Sequence, residues 1–155
     1  MKLVVKFGGT SLKNGERIEN AAESIKQALD HGHEATVVAS AMGNTTDELL
    51  DNINFNAKER DRDEIISMGE RTSVRMLKAA LESKGVDAEF IEPCKDSWPV
   101  KVDSEGNVKE EETRENTGKI DEKMENGVTP VVTGFLAEDP QGNVTTLARG
   151  GSDTT

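Results

Sequence analysis

The chain has 155 residues, 30 of them acidic and 19 basic, for a formal net charge of −11. That length fits one domain with a real core, and the acidic excess argues against nucleic acid or a membrane surface as a partner. The single cysteine, Cys94, excludes an internal disulfide framework; no apolar run approaches the roughly 18 residues of a membrane helix, and the chain opens on a strand pattern rather than a signal peptide, so a soluble, cytoplasmic protein is expected.

Leu3–Phe7 is short, apolar and β-rich and predicts a first strand, with Gly8-Gly9-Thr10-Ser11 following at once. A strand that runs into glycines and hydroxyls before a helix is a recurring phosphate cradle. An edge strand with a solvated Lys6 and an ordinary glycine turn fits the same residues, because neither the P-loop nor the dinucleotide spacing is present. Ile18, Ala21, Ala22, Ile25, Ala28 and Leu29 form a helical stripe that stops at Gly32. Ala35–Ala41 is almost continuous in small and branched apolar residues, as a strand covered on both faces requires. Thr46 to Ile53 begins a helix, and Ile65, Ile66, Met68, Thr72, Met76, Leu77, Ala80 and Leu81 extend a second helical face to Gly85. Between them, Lys58–Glu64 is charged throughout with both signs and reads as a solvated helix–helix junction. Ala88–Ile91 is a third strand, and 96–107 is irregular around a turn at Glu105-Gly106-Asn107, with Trp98 as a packing residue. Thr113–Met124 reads as one helix ending near Gly127, Val128–Phe135 as a buried strand, and Gln141-Gly142-Asn143 as a hairpin turn.

Repeated strand–helix units imply an α/β domain: a three-layer αβα sandwich with a mostly parallel sheet. Ligands of such sheets gather beyond the carboxyl ends of the strands. The last eleven residues add a concentrated signal, since Arg149, Gly150, Gly151, Ser152 and Asp153 unite a planar cation, two flexible residues, a hydroxyl and a carboxylate. Arginine offers a bidentate fork to a carboxylate or phosphate, and Ser and Asp are good N-caps for a helix whose N-terminus attracts anions. The stretch reads as an anion-binding turn.

With both ends in view, a family resemblance can be stated. Lys6-Phe-Gly-Gly-Thr-Ser11 resembles the opening signature of aspartokinases, within the wider amino acid kinase family. Val38-Ala-Ser-Ala-Met-Gly-Asn-Thr-Thr46 resembles the family's second strand and its Ser-Ala turn, and Ser67-Met-Gly-Glu-Arg71 its Gly-Glu helix start. Gly134-Phe135 followed by Thr145-Thr-Leu-Ala-Arg-Gly-Gly-Ser-Asp153 resembles the strand, hairpin and anion turn. Asp96-Ser-Trp-Pro-Val100 and Glu111-Glu-Thr-Arg114 resemble the archaeal-type subgroup. The segments occur in order from end to end, which is far more specific than any one of them.

The resemblance implies ATP-dependent phosphorylation of the side-chain carboxylate of L-aspartate, with magnesium accompanying ATP, and a homo-oligomer at full length. By it, Lys6 would bridge the transferring phosphoryl group, and Gly8 and Gly9 would present N–H groups to phosphate oxygens. Ser11 and Thr46 would hydrogen-bond the amino acid, Glu70 would pair with its ammonium, and Arg149 would grip a carboxylate. Gly150 and Gly151 would line the substrate, Ser152 and Asp153 would complete the site, and no protein metal ligand is assigned. From the residues alone, Glu70 could instead be a first-turn helix residue favoured by the dipole, and Thr45 competes with Thr46. Ala148 stands where the family has glycine. The family's adenine and ribose sites lie in a later half, so residues 1–155 are expected to be the amino-acid-binding lobe, with little turnover alone. A non-catalytic binding module, or a kinase acting on glutamate, a carbamate or a nucleoside phosphate, are the other readings.

Overall fold

The computed structural model describes residues 1–147. Four strands form one parallel sheet in the spatial order β1 (Lys2–Phe7), β2 (Glu34–Ala39), β4 (Thr129–Thr133), β3 (Ala88–Ile91). Parallel neighbours need long crossovers, which are usually helical. Here α1 (Gly15–Asp30) links β1 to β2, α2 (Thr45–Asn52) and α3 (Glu59–Ser83) link β2 to β3, and α4 (Glu110–Asn116) and α5 (Gly118–Glu125) link β3 to β4. A small antiparallel hairpin, β5 (Leu136–Glu138) and β6 (Val144–Thr146), follows β4.

Strand periodicity divides the core in two. Val37, Ala39 and Val131 meet Ile18, Ala22 and Ile25 of α1 and Val74, Leu77 and Leu81 of α3. Ile91 and Val132 point the other way and pack with Ile120 of α5, Trp98, and Leu136, Ala137 and Val144 of the hairpin. Each fully buried aliphatic side chain of this kind contributes about 1.5–3 kcal/mol. Helices therefore cover both faces of the sheet, and the expected three-layer α/β class stands. Trp98 is 2% exposed and its indole N–H donates to the Val100 carbonyl at 2.8 Å, so it is indeed a packing residue. The helix α1 begins where the Asn14 side chain accepts from the Arg17 N–H at 3.0 Å and ends before Gly32, which takes φ 83.

Three expectations need correction. The charged run Lys58–Glu64 is not a junction: it forms the first turns of α3, and Asp63 within it is half-buried. The helix expected over Thr113–Met124 starts at Glu110 and is broken in two at Thr117, whose hydroxyl donates to the Arg114 carbonyl at 2.6 Å. Such local side-chain bonds compete with the helical ladder. The strand expected over Val128–Phe135 stops at Thr133. Phe135 takes φ 65, and the Leu136 N–H folds back onto the Gly134 carbonyl at 2.8 Å. This is a tight three-residue turn with a left-handed centre, an uncommon and strained arrangement for a bulky residue.

That strain makes a prediction. Replacing Phe135 by glycine should leave a more stable chain than replacing it by alanine, by about 1 kcal/mol, the reverse of the usual order. Urea denaturation of the two variants measures the difference, and an alanine variant at least as stable would show the turn to be unstrained.

Candidate active site

Segments leaving the carboxyl ends of β1 and β2 lie side by side, stitched by backbone hydrogen bonds. The Ser40 N–H donates to the Phe7 carbonyl at 3.0 Å and the Gly43 N–H to the Gly9 carbonyl at 2.9 Å. After β1 the chain makes a short 3-10 turn over Gly9–Leu12, closed by the Ser11 N–H on the Gly8 carbonyl at 3.0 Å. A Cβ on Gly9 would stand 2.7 Å from the Gly43 carbonyl oxygen and 3.0 Å from that of Ala41, so only glycine permits this approach. Gly8 is different: it is extended, and a Cβ there would meet nothing within 4 Å. Its side of the turn faces open space.

The third wall is α3. A Cβ on Gly69 would stand 2.8 Å from the Ala41 Cβ and 3.5 Å from Thr46 Oγ1, so the helix presses directly on the turn after β2. The next residue, Glu70, is 2% exposed. Its Oε1 accepts from the Ala41 N–H at 3.3 Å, while Oε2 has no hydrogen-bond partner among the described residues. Burial pushes the Glu70 carboxyl up to about 7, against the opposing pull of the Ala41 N–H and of its own backbone. Glu70 lies in the middle of the 25-residue α3, so the expected Gly-Glu helix start and the first-turn dipole role are both corrected. Thr45 Oγ1 is engaged locally, donating to the Met42 carbonyl at 2.6 Å. Thr46 is left as the hydroxyl beside Gly69.

Lys6, exposed near the end of β1, and Ser11, exposed on the following turn, belong to the same rim as Gly8, Gly9, Thr46 and Glu70. Arg149, Gly150, Gly151, Ser152 and Asp153, with Ala148 before them, lie outside the described residues. The described chain reaches toward them through β6 and Leu147.

Some residues here are not legible as site residues in the sequence. Ser73 Oγ, one turn along α3 from Glu70, and Thr133 Oγ1, at the end of β4, are buried without a hydrogen-bond partner among the described residues. Thr133 is in register with Ala39 and so faces α3 as well. Arg71 and Arg75 converge on Glu92, which is 6% exposed. Arg75 holds it bidentately at 2.7 and 2.8 Å, and an Arg71 nitrogen stands 3.7 Å from it. Burial alone would raise the Glu92 carboxyl, but the two arginines override it and hold the group below its usual range. The helical period offered a signal for the α3 residues: Asp63, Ile66, Glu70, Ser73, Leu77 and Leu81 recur at spacings of three and four on one face.

A parallel α/β domain with a glycine-lined cradle and a buried carboxylate at the carboxyl ends of its strands has counterparts among known proteins. The model of the amino acid kinase family matches residues 1–155, and the chain belongs to that family. An aspartokinase of Thermus thermophilus is 38% identical over 161 residues, which is 100% of this chain and 38% of the relative. Aspartokinase 2 of Bacillus subtilis is 36% identical over 99% of this chain and 38% of its own length. The structure of the aspartate kinase from Synechocystis superposes with a TM-score of 0.74 at 34% identity, over 97% of this chain and 25% of that one. Aspartokinase III of E. coli, solved with aspartate and ADP, shares the fold at a TM-score of 0.79 and 20% identity, over 97% of this chain and 44% of that one. The chain thus spans less than half the length of these relatives.

Two outcomes test this geometry. The folded Glu70 holds its proton more tightly than the unfolded chain does, so its contribution to stability is greatest below about pH 4.5 and is lost as pH rises through about 7. The loss is of order 3 kcal/mol, and Glu70→Gln should remove that part of the slope in urea titrations run from about pH 5 to about pH 8; an unchanged slope would refute the raised carboxyl. Separately, Gly69→Ala should cost about 1–3 kcal/mol by overpacking against Ala41, read as a lowered urea midpoint.

Proposed function

We propose that residues 1–155 form the amino-acid-binding lobe of an ATP-dependent kinase that phosphorylates the side-chain carboxylate of L-aspartate. The product is 4-phospho-L-aspartate, the first step toward lysine, threonine and methionine. The observation that carries this reading is Glu70, a buried carboxylate with one oxygen held by the Ala41 N–H and the other without a partner. Such a group is a receptor for a cation that brings hydrogen-bond donors, and the ammonium of an amino acid brings both. The names of the relatives support the same acceptor.

Phosphoryl transfer to a carboxylate asks a protein for alignment and charge neutralisation rather than covalent help. A side-chain oxygen of aspartate forms a bond to the γ-phosphorus as the bond to the β-phosphate oxygen breaks, and ADP departs with that electron pair. In this reading Glu70 holds the ammonium, Ser11 and Thr46 hydrogen-bond the amino acid, and Arg149, flanked by Gly150 and Gly151, grips a carboxylate. Gly8 and Gly9 offer N–H groups to phosphate oxygens, and Lys6 neutralises charge that develops in transfer. Ser152 and Asp153 complete the site, Asp153 by orienting Lys6 or the amine. Magnesium accompanies the nucleotide and is held largely by its phosphate oxygens; among the described residues no group of three His, Cys, Asp or Glu could hold a metal. The subgroup is read as archaeal-type from Asp96–Val100 and Glu111–Arg114, and the whole protein as a cytoplasmic homo-oligomer.

Calorimetric titration with L-aspartate tests the reading. Aspartate should bind in preference to L-glutamate, and Arg149→Ala and Glu70→Gln should each weaken binding by at least tenfold, about 1.4 kcal/mol. Because the amine pairs with the ionised carboxylate, aspartate affinity should rise as pH rises through about 7. Equal binding of aspartate by the Glu70→Gln variant would remove Glu70 from the site. ADP release by this chain alone should be negligible, and robust turnover would contradict the lobe reading.

A further inference from the structure

A serine inside a helix commonly bonds back to the preceding turn, and α3 does so twice. Ser67 Oγ donates to the Glu64 carbonyl and Ser83 Oγ to the Ala80 carbonyl, each at 2.7 Å. Ser73, between them on the same helix, does not. It is fully buried, and its Oγ has no hydrogen-bond partner among the described residues. Thr133 at the end of β4 is in the same condition, whereas the buried Thr36 of β2 donates to Met124 Sδ at 3.1 Å. Among the described residues four buried side-chain polar atoms lack a partner: Ser73 Oγ, Thr133 Oγ1, Glu70 Oε2 and His33 Nδ1. His33 precedes β2, at the far end of the sheet from the rim. The other three belong to one place.

The topology brings them together. The crossover helix α3 runs back from the carboxyl end of β2 to the start of β3, against the direction of the strands. Val131 of β4 packs in one cluster with Val74 and Leu77 of α3. Thr133 stands two residues further along the same face of the strand, about 7 Å away. The same distance back along α3 is about four residues, which leads from Leu77 and Val74 to Ser73 and Glu70. Thr133 is also in register with Ala39, and Ala41, two residues beyond, gives its N–H to Glu70 Oε1 at 3.3 Å. Buried polar groups in native proteins are hydrogen-bonded to protein or to ordered water, and a buried water typically has about three polar partners. None of these three oxygens bonds another directly. A water between them accepts from the two hydroxyls and donates to Oε2.

We propose that Ser73 and Thr133 are positioning residues for Glu70: with its Oε2 they hold one buried water molecule, which stabilises the ionised carboxylate in the pose that receives an amine. The receiving role rests on the reading of Glu70 as the ammonium receptor; the water site does not. A carboxylate oxygen has two lone pairs, so Oε2 can accept from the water on the protein side and from a ligand on the other. Little else around Glu70 favours its ionised form. On its own helix, Arg71 and Arg75 are drawn to Glu92. The first turn of α2 brings only acids, Asp47 and Glu48, and β4 brings the neutral Thr133. Lys6 stands out on the rim at β1. The pull that opposes burial of the carboxyl comes from backbone N–H groups, to which the water adds a further donor.

Titration of the Glu70 carboxyl by carbon-13 NMR tests the proposal, with the signal assigned by its loss in Glu70→Gln. Ser73→Ala and Thr133→Val should each raise the midpoint by about one pH unit, because each weakens the hydrogen bonding of the ionised form. Thr133→Ser keeps the hydroxyl and should leave the midpoint where it is. Lowered urea midpoints with an unmoved titration would mark a packing role and overturn the proposal. A crystal structure of the unsubstituted chain decides the matter if a variant fails to fold. One water within hydrogen-bonding reach of Glu70 Oε2, Ser73 Oγ and Thr133 Oγ1 is expected, and a direct hydroxyl–carboxylate bond or an empty space there overturns it. In calorimetry, the pH at which L-aspartate affinity rises should move up with the midpoint in Thr133→Val and not in Thr133→Ser. If the unsubstituted chain binds no aspartate, the receptor reading of Glu70 fails, while a moved titration still upholds the water site.

Discussion

The rim of the sheet depends on two close approaches that only glycine permits. Gly9 lets the turn after β1 close against the carbonyls of Ala41 and Gly43, and Gly69 lets α3 lie on Ala41. Neither contact adds much energy. Their effect is steric: they bring three segments, distant in sequence, within reach of one another. With any side chain at Gly69, the helix would stand off and Glu70 would lose the Ala41 N–H that holds one of its oxygens. A glycine turn and a buried carboxylate thereby occupy neighbouring places on one rim.

The second constraint is electrostatic. The chain carries a net charge of −11, and a field of that sign repels anions. Burial raises the Glu70 carboxyl to about 7 and so keeps it partly protonated near neutrality. The other buried acid of α3's surroundings, Glu92, is managed in the opposite way, by two arginines that keep it ionised and paired. Two buried carboxylates near one helix thus serve different ends because one has partners built in and the other has an oxygen to offer.

Much of this was legible in the sequence, for identifiable reasons. The strands β1, β2 and β3 announced themselves by β-rich or continuous apolar runs, and the stripe from Ile18 to Leu29 gave α1, because burial on one or two faces imposes a period on the residues. The glycines of the site and Thr46 stood out through the family resemblance, and the rim follows from the parallel topology. What was not legible depends on partners far along the chain. Asp63 looks like any member of a solvated charge run until β6, eighty-two residues later, supplies its hydroxyls. The helix breaks at Thr117, between Asn116 and Gly118, at a point that periodicity does not register. Phe135 sits in a strand-like run, and only the demands of the turn into β5 force it into a left-handed conformation.

The edge of the sheet adds a different kind of consequence. Among the described residues β1 has a neighbour on one side only, and Val4 on it is 77% exposed. A six-residue strand with one open edge is a template on which a foreign strand can grow, the usual first step of edge-to-edge aggregation. Lys2 and Lys6 stand two residues to either side of Val4 and so share its face. Lys2 there is already committed to Asp121 and Glu125 at 3.2 and 3.4 Å, and charged side chains along an open edge are what makes the addition of a further strand costly.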